Sequence, residues 1–166
     1  MIRIRPLRPE DREGLCRVVE RQGNFSPLEI EVALEVIDAA LEPGGNDYTV
    51  LTALGAGNLP LGFICYGAIP LTENRYDLYW VAVDPASGRQ GIGSLLLQAM
   101  EEVIGRQGPA HIYVDTSSTA GYAPARTFYE KYGYRVACVL ENFYRQGDDK
   151  VVYRKEVGRV PDSPGL

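Results

Sequence analysis

The chain has few of the residues from which metal centres and disulfide frameworks are built. Its 166 residues include one histidine, His111, and three cysteines. Cys16, Cys65 and Cys138 are scattered without a Cys-x-x-Cys pair. We therefore expect neither a disulfide framework nor a zinc site, and we predict no metal cofactor. Cys65 and Cys138 lie in apolar, strand-like runs, which predicts that both are small core residues.

Long apolar runs are also missing. No stretch approaches the roughly 20 apolar residues of a membrane-spanning helix, and the N-terminus, MIRIRPLRPEDREG, lacks the apolar core of a signal peptide. We expect a cytoplasmic protein without a membrane partner. The formal net charge of -5 argues against a nucleic-acid partner and favours attraction of a cationic amine.

The length and composition predict one folded domain. With 166 residues, 45% of them hydrophobic, the chain can bury a single α/β core and has no room for a second full domain. We assign residues 1–157 to this domain. Residues 158–166 are rich in Pro and Gly, and we expect them to form a disordered tail.

Four segments carry the apolar spacing of helices. Ser26 followed by Pro27 and Glu29 is typical of a helix start, and the Pro-Gly-Gly run at 43–45 ends that helix. Two further helices are predicted over residues 9–21 and 123–132. The helix predicted over residues 91–104 has a face that we expect to be buried, formed by Ile92, Leu95, Leu96, Ala99 and Val103.

Seven segments have the alternating or continuously apolar pattern of strands. A Gly-Asp-Asp turn at 147–149 is predicted to join the last two. The strands are predicted over residues 2–7, 48–54, 61–69, 76–83, 110–115, 134–141 and 150–157.

Residues 78–97, LYWVAVDPASGRQGIGSLLL, predict a buried strand, a glycine-bearing loop and the start of a helix. Gly91 and Gly93 let the backbone turn sharply and let its N–H groups approach a ligand closely. The unpaired N–H groups and positive dipole end of the helix face the same point, and Arg89 adds a cation. This order predicts a phosphate or pyrophosphate site. A tight strand-to-helix connection without a ligand is the alternative.

Two known phosphate-binding motifs do not match this loop fully. No Gly-Lys-Ser or Gly-Lys-Thr follows the glycines, so a P-loop is excluded. The dinucleotide-binding fingerprint requires Gly or Ala three positions after Gly93, where Leu96 stands. Asp115 does lie near the distance at which that motif places its ribose-binding acid. A nucleotide-binding oxidoreductase therefore stays open at this point.

The segment 121–134, GYAPARTFYEKYGY, resembles a signature of the GNAT-type N-acetyltransferase superfamily. In that family a Gln/Arg-x-x-Gly-x-Gly/Ala loop holds the acetyl-CoA pyrophosphate, and a later helix ending in Tyr-Glu-Lys-x-Gly-Phe/Tyr carries an acid tyrosine. Both segments are present here in that order, separated by the strand-like residues 111–115. The resemblance implies a mixed, mostly antiparallel, twisted sheet of about seven strands flanked by about four helices.

The same resemblance implies where acetyl-CoA binds. Gly88 stands where the family usually has Gln or Arg, and the neighbouring Arg89 can substitute for it. Tyr122 stands where many members carry an Asn that binds the pantetheine arm. The predicted cofactor contacts are Val81, Ala82, Val83, Arg89, Gln90, Gly91, Ile92, Gly93, Ser94, Tyr122, Arg126 and Tyr129.

Three residues are predicted to be catalytic. Tyr129 matches the family's acid tyrosine, whose hydroxyl can donate to the departing thiolate, while a packed core aromatic is the alternative. A protonated amine must lose its proton before it attacks a thioester, and Asp77 and Asp115 are the candidate bases. A backbone N–H near Val81 or Val83 is predicted to stabilise the oxyanion.

The sequence therefore predicts an acetyl-CoA-dependent N-acetyltransferase that acts on a primary amine of a small molecule or peptide. No Cys or Ser has the context of a nucleophile, which favours direct transfer in a ternary complex. A homodimer is compatible with the sequence. The principal alternative is a catalytically silent acyl-CoA-binding or regulatory module, and a nucleotide-binding oxidoreductase is a more distant one.

Overall fold

The computed structural model describes residues 1–44 and 47–158. The tail expected at residues 158–166 therefore lies outside the described residues, except for Gly158. The last residue of the Pro-Gly-Gly run at 43–45 also lies outside them. Within the described residues there are four α-helices: α1 Arg12–Glu20, α2 Pro27–Leu41, α3 Ile92–Gly105 and α4 Ala123–Lys131. The strands are β1 Arg3–Pro6, β2 Thr49–Leu54, β3 Pro60–Ala68, β4 Arg75–Val83, β5 Ala110–Ser117, β6 Arg135–Arg145 and β7 Asp148–Val157.

The seven strands form one sheet in the order β1-β2-β3-β4-β5-β7-β6. The pairs β1–β2, β2–β3, β5–β7 and β6–β7 are antiparallel, whereas β4 and β5 are parallel. The predicted mixed, mostly antiparallel sheet of about seven strands with about four helices is confirmed. A doubly wound dinucleotide-binding sheet would be mostly parallel, so the sheet argues against the oxidoreductase alternative.

The start of α2 shows how the local sequence defines an element. The Ser26 side chain accepts a hydrogen bond from the Glu29 backbone N–H at 3.2 Å, and the Glu29 carboxylate accepts one from the Ser26 N–H at 2.6 Å. Pro27 fills the first helical position, where its missing N–H costs nothing. This reciprocal capping box satisfies two of the backbone donors that a helix start leaves unpaired.

The chain divides into two compact units. The first comprises Met1–Gly67 and Tyr79–Met100, and the second comprises Ala68–Leu78 and Glu101–Leu166. The core of the first unit joins α1 and α2 to strands β2, β3 and β4. Its buried side chains are Leu15, Val18, Val19, Ala33, Val36, Ile37, Val50, Phe63, Cys65 and Ala82.

The core of the second unit is rich in tyrosine. The ring of Tyr129 on α4 lies 5.8 Å from that of Tyr134 and 6.1 Å from that of Tyr153 on β7, measured between centroids. The strand residues Ile112 and Val114 of β5 are buried in the same unit. Large buried aromatics contribute much of the burial energy of such a core, at about 25 cal/mol per Å² of apolar surface.

The buried face of α3 differs from the predicted one. Leu95 and Val103 were expected to be buried, but they are 39% and 37% exposed. The residues of α3 that are buried are Ile92, Leu96, Leu97, Met100 and Ile104. Because apolar residues occur on more than one side of this helix, spacing alone allowed two faces, and the i, i+4 row from Ile92 is the one that packs.

The prediction for the two strand cysteines is right for Cys65 and wrong for Cys138. Cys65 on β3 is fully buried, whereas Cys138 on β6 is exposed. β6 is the last strand in the sheet order, and all of its residues are exposed. An apolar run does not distinguish a central strand from an edge strand, which is why the sequence misled here.

The final hairpin is tighter than predicted. Arg145 pairs with Asp148, so the turn consists of Gln146 and Gly147, and Gly147 has a φ of 81°. Both strands of this hairpin are therefore longer than the sequence indicated.

Among the described residues, none of the helices has the length and apolar character needed to span a membrane.

Candidate active site

The first part of the candidate site is the glycine loop, which we define as residues 84–94, between β4 and the first turn of α3. Asp84 fixes its start: its N–H donates to the Leu61 carbonyl oxygen at 2.7 Å, and its carboxylate accepts from the Ala86 N–H at 3.0 Å. The same carboxylate accepts from Arg21 at 3.0 Å. Asp84 is 8% exposed, so these bonds hold a buried charge in place.

Two residues of the glycine loop adopt the left-handed conformation. Gly91 has a φ of 69° and Arg89 a φ of 65°. The nearest atom to a Cβ added at Gly91 would be the Ser94 Oγ at 3.5 Å, so the backbone angle and not crowding favours glycine here. Arg89 bears the strain that glycine avoids, of order 1–2 kcal/mol for an ordinary residue.

The glycine loop leads directly into the N-terminus of α3. The Leu95 N–H donates to the Gly91 carbonyl at 3.0 Å, and the Ser94 hydroxyl donates to the same oxygen at 2.8 Å. The backbone N–H groups of the residues between them have no helical acceptor and can bind an anion. Arg89 and Gln90 are exposed, and Arg89 makes no ion pair with any residue that the structure describes.

The end of β4 precedes the glycine loop and carries the predicted residues Val81, Ala82 and Val83. Ala82 is 2% exposed, and the Val83 carbonyl oxygen accepts from the Gln22 side chain of the segment after α1 at 2.8 Å. A Cβ at Gly62 of β3 would lie 2.7 Å from the Ala82 oxygen. The close approach of β3 therefore fixes the backbone at this end of β4. A backbone N–H that stabilises an oxyanion must be held in place in this way.

Three packed tyrosines of the second unit differ in what their hydroxyls bind. The Tyr153 hydroxyl donates to Glu130 at 2.8 Å, and the Tyr134 hydroxyl donates to Glu101 at 3.0 Å. The Tyr129 hydroxyl has no hydrogen-bond partner among residues 1–44 and 47–158, although the residue is only 9% exposed. Burial raises the pKa of Tyr129 to about 12, so the hydroxyl stays protonated at neutral pH and can donate.

The loop before α4 is held by Arg126, which was predicted to contact the cofactor. Its Nη1 donates to the carbonyl oxygens of Ser117 at 2.7 Å and Thr119 at 2.8 Å. Tyr122, the other predicted contact here, is the N-cap residue of α4 and is partly buried. Because Nη1 of Arg126 is bound to the loop backbone, only the remaining N–H groups of its guanidinium can bind a ligand.

The carboxylate cluster, which we define as Asp77, Asp115 and Lys150, lies on one face of the second unit's strands. Asp77 of β4 is in register with Tyr113 of β5, and Asp115 is two residues further along on the same face. The Lys150 Nζ of β7 lies 2.8 Å from Asp115 Oδ2. Burial, followed by the charge of Asp115, raises the pKa of Asp77, and the charge of Lys150 lowers it.

The structure brings Asp77 and Asp115 together but places Tyr129 on the other face of the sheet. Tyr129 packs on Tyr153, which pairs with Val114 of β5, and neighbouring residues of a strand point to opposite faces. Val114 is buried, whereas Asp115 is exposed. The candidate acid and the candidate bases therefore lie on opposite faces of the sheet near the C-terminal end of β5.

Lys150 was not among the site residues predicted from the sequence. Its signal was the alternation of Lys150 and Val152 with the buried Val151 and Tyr153, which marks Lys150 as facing away from the core. Its ion pair with Asp115 depends on the β5–β7 register, which no local pattern encodes. Among the residues that the structure describes, no group of three or more His, Cys, Asp or Glu side chains could hold a metal ion.

Comparison with known proteins decides the family. The model of the acetyltransferase (GNAT) domain matches residues 46–136 of this chain, which include the glycine loop, Asp77, Asp115 and Tyr129. The chain belongs to the GNAT acetyltransferase family. The predicted resemblance is confirmed.

Individual GNAT proteins resemble the chain to different extents. A GNAT-family structure from Desulfovibrio desulfuricans is 39% identical, covers 94% of this chain and 99% of its own, and superimposes with a TM-score of 0.88. The ribosomal protein bS18-alanine N-acetyltransferase of Escherichia coli is 32% identical over 73 residues, or 44% of this chain. That match spans 48% of the E. coli protein, about half its length.

A third GNAT protein was solved with coenzyme A. The PaiA N-acetyltransferase of Thermoplasma acidophilum is 24% identical, covers 94% of this chain and 99% of its own, and has a TM-score of 0.69. At this identity the similarity shows a shared fold. The glycine loop and the three tyrosines must therefore be judged on the geometry of this chain.

Proposed function

We propose that this GNAT protein transfers the acetyl group of acetyl-CoA to a primary amine of a small molecule or peptide. Family membership supports the reaction class, and the names of the similar proteins support an amine acceptor and a CoA donor. A metal ion has no part in the proposed reaction. We further propose a single domain over residues 1–157 and a cytoplasmic location, with no nucleic-acid or membrane partner.

The glycine loop is proposed to hold the pyrophosphate of acetyl-CoA. The loop presents consecutive backbone N–H groups, from Gln90 to Ser94, at the N-terminus of a 14-residue helix. This arrangement favours a dianionic group through both hydrogen bonds and the helix dipole. Arg89 has an exposed side chain without an ion pair among the described residues and is proposed to add one charged contact.

The proposed reaction is a direct transfer. The ammonium of the acceptor first loses a proton to a carboxylate, because only the neutral amine has a lone pair for attack. The nitrogen then bonds to the thioester carbonyl carbon, a backbone N–H at the end of β4 stabilises the oxyanion, and the carbon–sulfur bond breaks. The departing sulfur takes the proton of the Tyr129 hydroxyl and leaves as the free thiol of CoA. The new amide nitrogen releases its extra proton to solvent, and Tyr129 regains a proton from solvent.

The Tyr129 hydroxyl is the observation that carries this proposal. It is the one hydroxyl of the three packed tyrosines that no described carboxylate engages. A hydrogen-bonding group buried without a partner costs stability, which is offset if a ligand supplies the partner. The raised pKa keeps the proton on Tyr129 at neutral pH, so the hydroxyl is available to donate to the developing thiolate.

We propose Asp77 as the base. It is partly buried, and no hydrogen bond or ion pair engages its carboxylate among residues 1–44 and 47–158. The raised pKa of Asp77 brings it nearer to the pH at which it must accept a proton. Asp115 is the second candidate, but its carboxylate is already bound by Lys150.

The experiment that tests this function is an assay of free thiol release from acetyl-CoA with a panel of amines. The panel contains alkyl amines, aminoglycosides, amino acids and peptides with a free N-terminus, and mass spectrometry identifies the acetylated product. We expect thiol release together with a product 42 Da heavier, the mass of an acetyl group replacing a hydrogen. Tight binding of acetyl-CoA without thiol release for any acceptor would contradict the proposal and favour the silent-binding alternative. Sedimentation would test for a homodimer.

A further inference from the structure

Lys150 contacts residues of two strands, β5 and β6, that are well separated in the sequence. Its Nζ lies 2.8 Å from Asp115 Oδ2 on β5 and 4.5 Å from the centroid of the Phe143 ring on β6. Its side chain is 22% exposed, so neighbouring residues cover much of it. A carboxylate on one side and an aromatic face on the other hold an ammonium in one place more firmly than either group does alone.

The hairpin that carries Phe143 and Lys150 is itself tied to the end of β5. The hydroxyl of Ser117 donates to the carboxylate of Asp148, which is 7% exposed. The Ser118 N–H donates to the Asp149 carbonyl oxygen at 2.9 Å. These bonds, on the side of the hairpin next to Lys150, fix the position from which its side chain reaches Asp115.

Strand register places Lys150 on the same face as both candidate bases. Lys150 pairs with Ser117, and Asp115 pairs with Val152, so Lys150 and Asp115 point to one side of β5 and β7. Asp77 joins this face through its pairing with Tyr113. Both carboxylates thus lie on the same face of the strands as one ammonium.

Only one of the two carboxylates forms an ion pair with the Lys150 ammonium. Asp115 forms the ion pair with Lys150, whereas Asp77 has no ion pair among the described residues. The charges of both neighbours still act on Asp77. Asp115 raises its pKa and Lys150 lowers it, in addition to the larger effect of burial.

We propose that Lys150 is a positioning residue for acetyl transfer, which binds Asp115 in an ion pair and so leaves Asp77 as the carboxylate that takes the acceptor's proton. The inference rests on the proposed function, because it needs Asp77 as the base. Without Lys150 the cluster would hold two unpaired carboxylates, and repulsion between them would favour retention of a proton by one of them.

The charged and titratable groups around Asp77 set the expected signs. Asp115 faces it from β5 and Lys150 from β7, and Arg75 lies two residues before it on β4. The Tyr144 hydroxyl of β6 interacts with Asp115 and Lys150, and its own pKa is raised, first by burial. Of these groups, Asp115 and Lys150 act on Asp77 in opposite directions.

Carboxyl 13C NMR titration of the full chain tests the proposal without an acceptor. In Lys150→Met the pKa of Asp77 should rise, because a stabilising positive charge is lost. In Asp115→Asn it should fall, because a repelling negative charge is lost while Lys150 remains. In the double variant both changes should cancel, and the pKa should return close to that of the wild type. Lys150→Arg should preserve the wild-type value.

Arg154→Met is the matched control. Arg154 is four residues from Lys150 on the same face of β7, but its ion pair is with Glu156, with 3.7 Å between Nη2 and Oε1. This variant should leave the Asp77 titration unchanged. A shift in Arg154→Met equal to that in Lys150→Met would overturn the proposal, since it would reflect general surface charge. If Lys150→Met does not fold, a fall in Asp115→Asn supports the proposal, and an unchanged Asp77 titration overturns it.

Turnover gives a second readout once an accepted amine is known. Lys150→Met should move the acidic limb of kcat/KM to higher pH, with a loss of roughly 2- to 10-fold at pH 6 that shrinks by pH 9. A loss that is uniform across pH, without a shift of the limb, would reduce Lys150 to a structural residue. If the NMR signs hold but Asp77→Asn keeps full turnover, the base assignment fails while the control of Asp77 by Lys150 stands. If Asp77→Asn loses turnover but Lys150→Met leaves the Asp77 titration unchanged, only the inference about Lys150 fails.

Discussion

The glycine loop and the carboxylate cluster are built from the chain in opposite ways. The glycine loop is one continuous stretch, residues 84–94, and what it offers a ligand is backbone N–H groups. The carboxylate cluster takes one side chain each from β4, β5 and β7, and what it offers is charge. The first should therefore fail when a backbone angle becomes impossible. The second should change its titration when any one of its charges is removed.

Gly91→Val should break the glycine loop with the largest effect of the variants considered. A β-branched residue is strongly disfavoured at a φ of 69°, so the backbone must leave the conformation that it has at Gly91. Acetyl-CoA at 100 times its Kd should stabilise the wild type by about 2.7 kcal/mol and should not stabilise this variant. The measurement is a thermal-unfolding shift with and without acetyl-CoA.

Gly57→Val is the matched control for Gly91→Val. Gly57 has a φ of 66° and no neighbour within 4 Å of an added Cβ, and it lies in a turn that is far from the glycine loop in the sequence. It should lose a similar amount of stability, about 1–2 kcal/mol, but keep the full acetyl-CoA shift. An equal acetyl-CoA shift in Gly91→Val and wild type would contradict the assignment of the loop.

Asp77→Asn should separate a charge-dependent site from a backbone-dependent one. If Asp77 takes the amine proton, turnover should fall by about 100-fold near neutral pH. Part of the loss should be recovered at high pH, where more of the amine is neutral in solution. Because the pKa of Asp77 is raised, wild-type kcat/KM should begin to fall at a higher pH than an ordinary carboxyl would cause. A pH profile of kcat/KM with one accepted amine measures this.

The control for Asp77→Asn is Glu156→Gln, which removes a carboxylate from the same face of the neighbouring strands, where Glu156 pairs with His111. It should leave the pH profile unchanged. A uniform loss across pH in Asp77→Asn would point to positioning of the acceptor. Full activity of Asp77→Asn at every pH would exclude Asp77 as the base.

Arg89→Gly should give the smallest effect and should separate strain from charge within the glycine loop. Glycine relieves the left-handed strain at position 89 but gains freedom in the unfolded chain, so the free energy of unfolding should change by less than about 1 kcal/mol. Loss of one charged contact should weaken acetyl-CoA about 3- to 10-fold by calorimetry. Arg89→Lys keeps the charge and should lose less. Unchanged affinity in both would remove Arg89 from the phosphate site.

The contrast between the two regions also explains what the sequence could predict. The glycine loop was predictable because strand, glycines and helix start are contiguous, and glycine allows the positive φ found at Gly91. The capping box of α2 was predictable for the same reason. In each case the atoms that interact lie within a few residues of one another.

Features that depend on sheet register were not predictable. The ion pair of Lys150 with Asp115 joins residues on different strands, and it needs the antiparallel β5–β7 pairing to be known. The exposure of Cys138 depends on β6 being an edge strand, a property of the whole sheet. The use of Arg126 to hold the Ser117 and Thr119 carbonyls was likewise hidden, because the motif names the residue type but not its partners.

The most direct test of the account is acetyl-CoA affinity and turnover measured on the same preparation of Tyr129→Phe, with Tyr153→Phe alongside. Both variants lose one hydroxyl and keep the ring, but only Tyr153 has a carboxylate partner, Glu130, at 2.8 Å. We expect Tyr129→Phe to bind acetyl-CoA within a few-fold of wild type and to turn over about 100-fold more slowly. Tyr153→Phe should lose about 1 kcal/mol of stability and keep most of its turnover. Unchanged turnover in folded Tyr129→Phe would contradict the account and leave Tyr129 as a core aromatic.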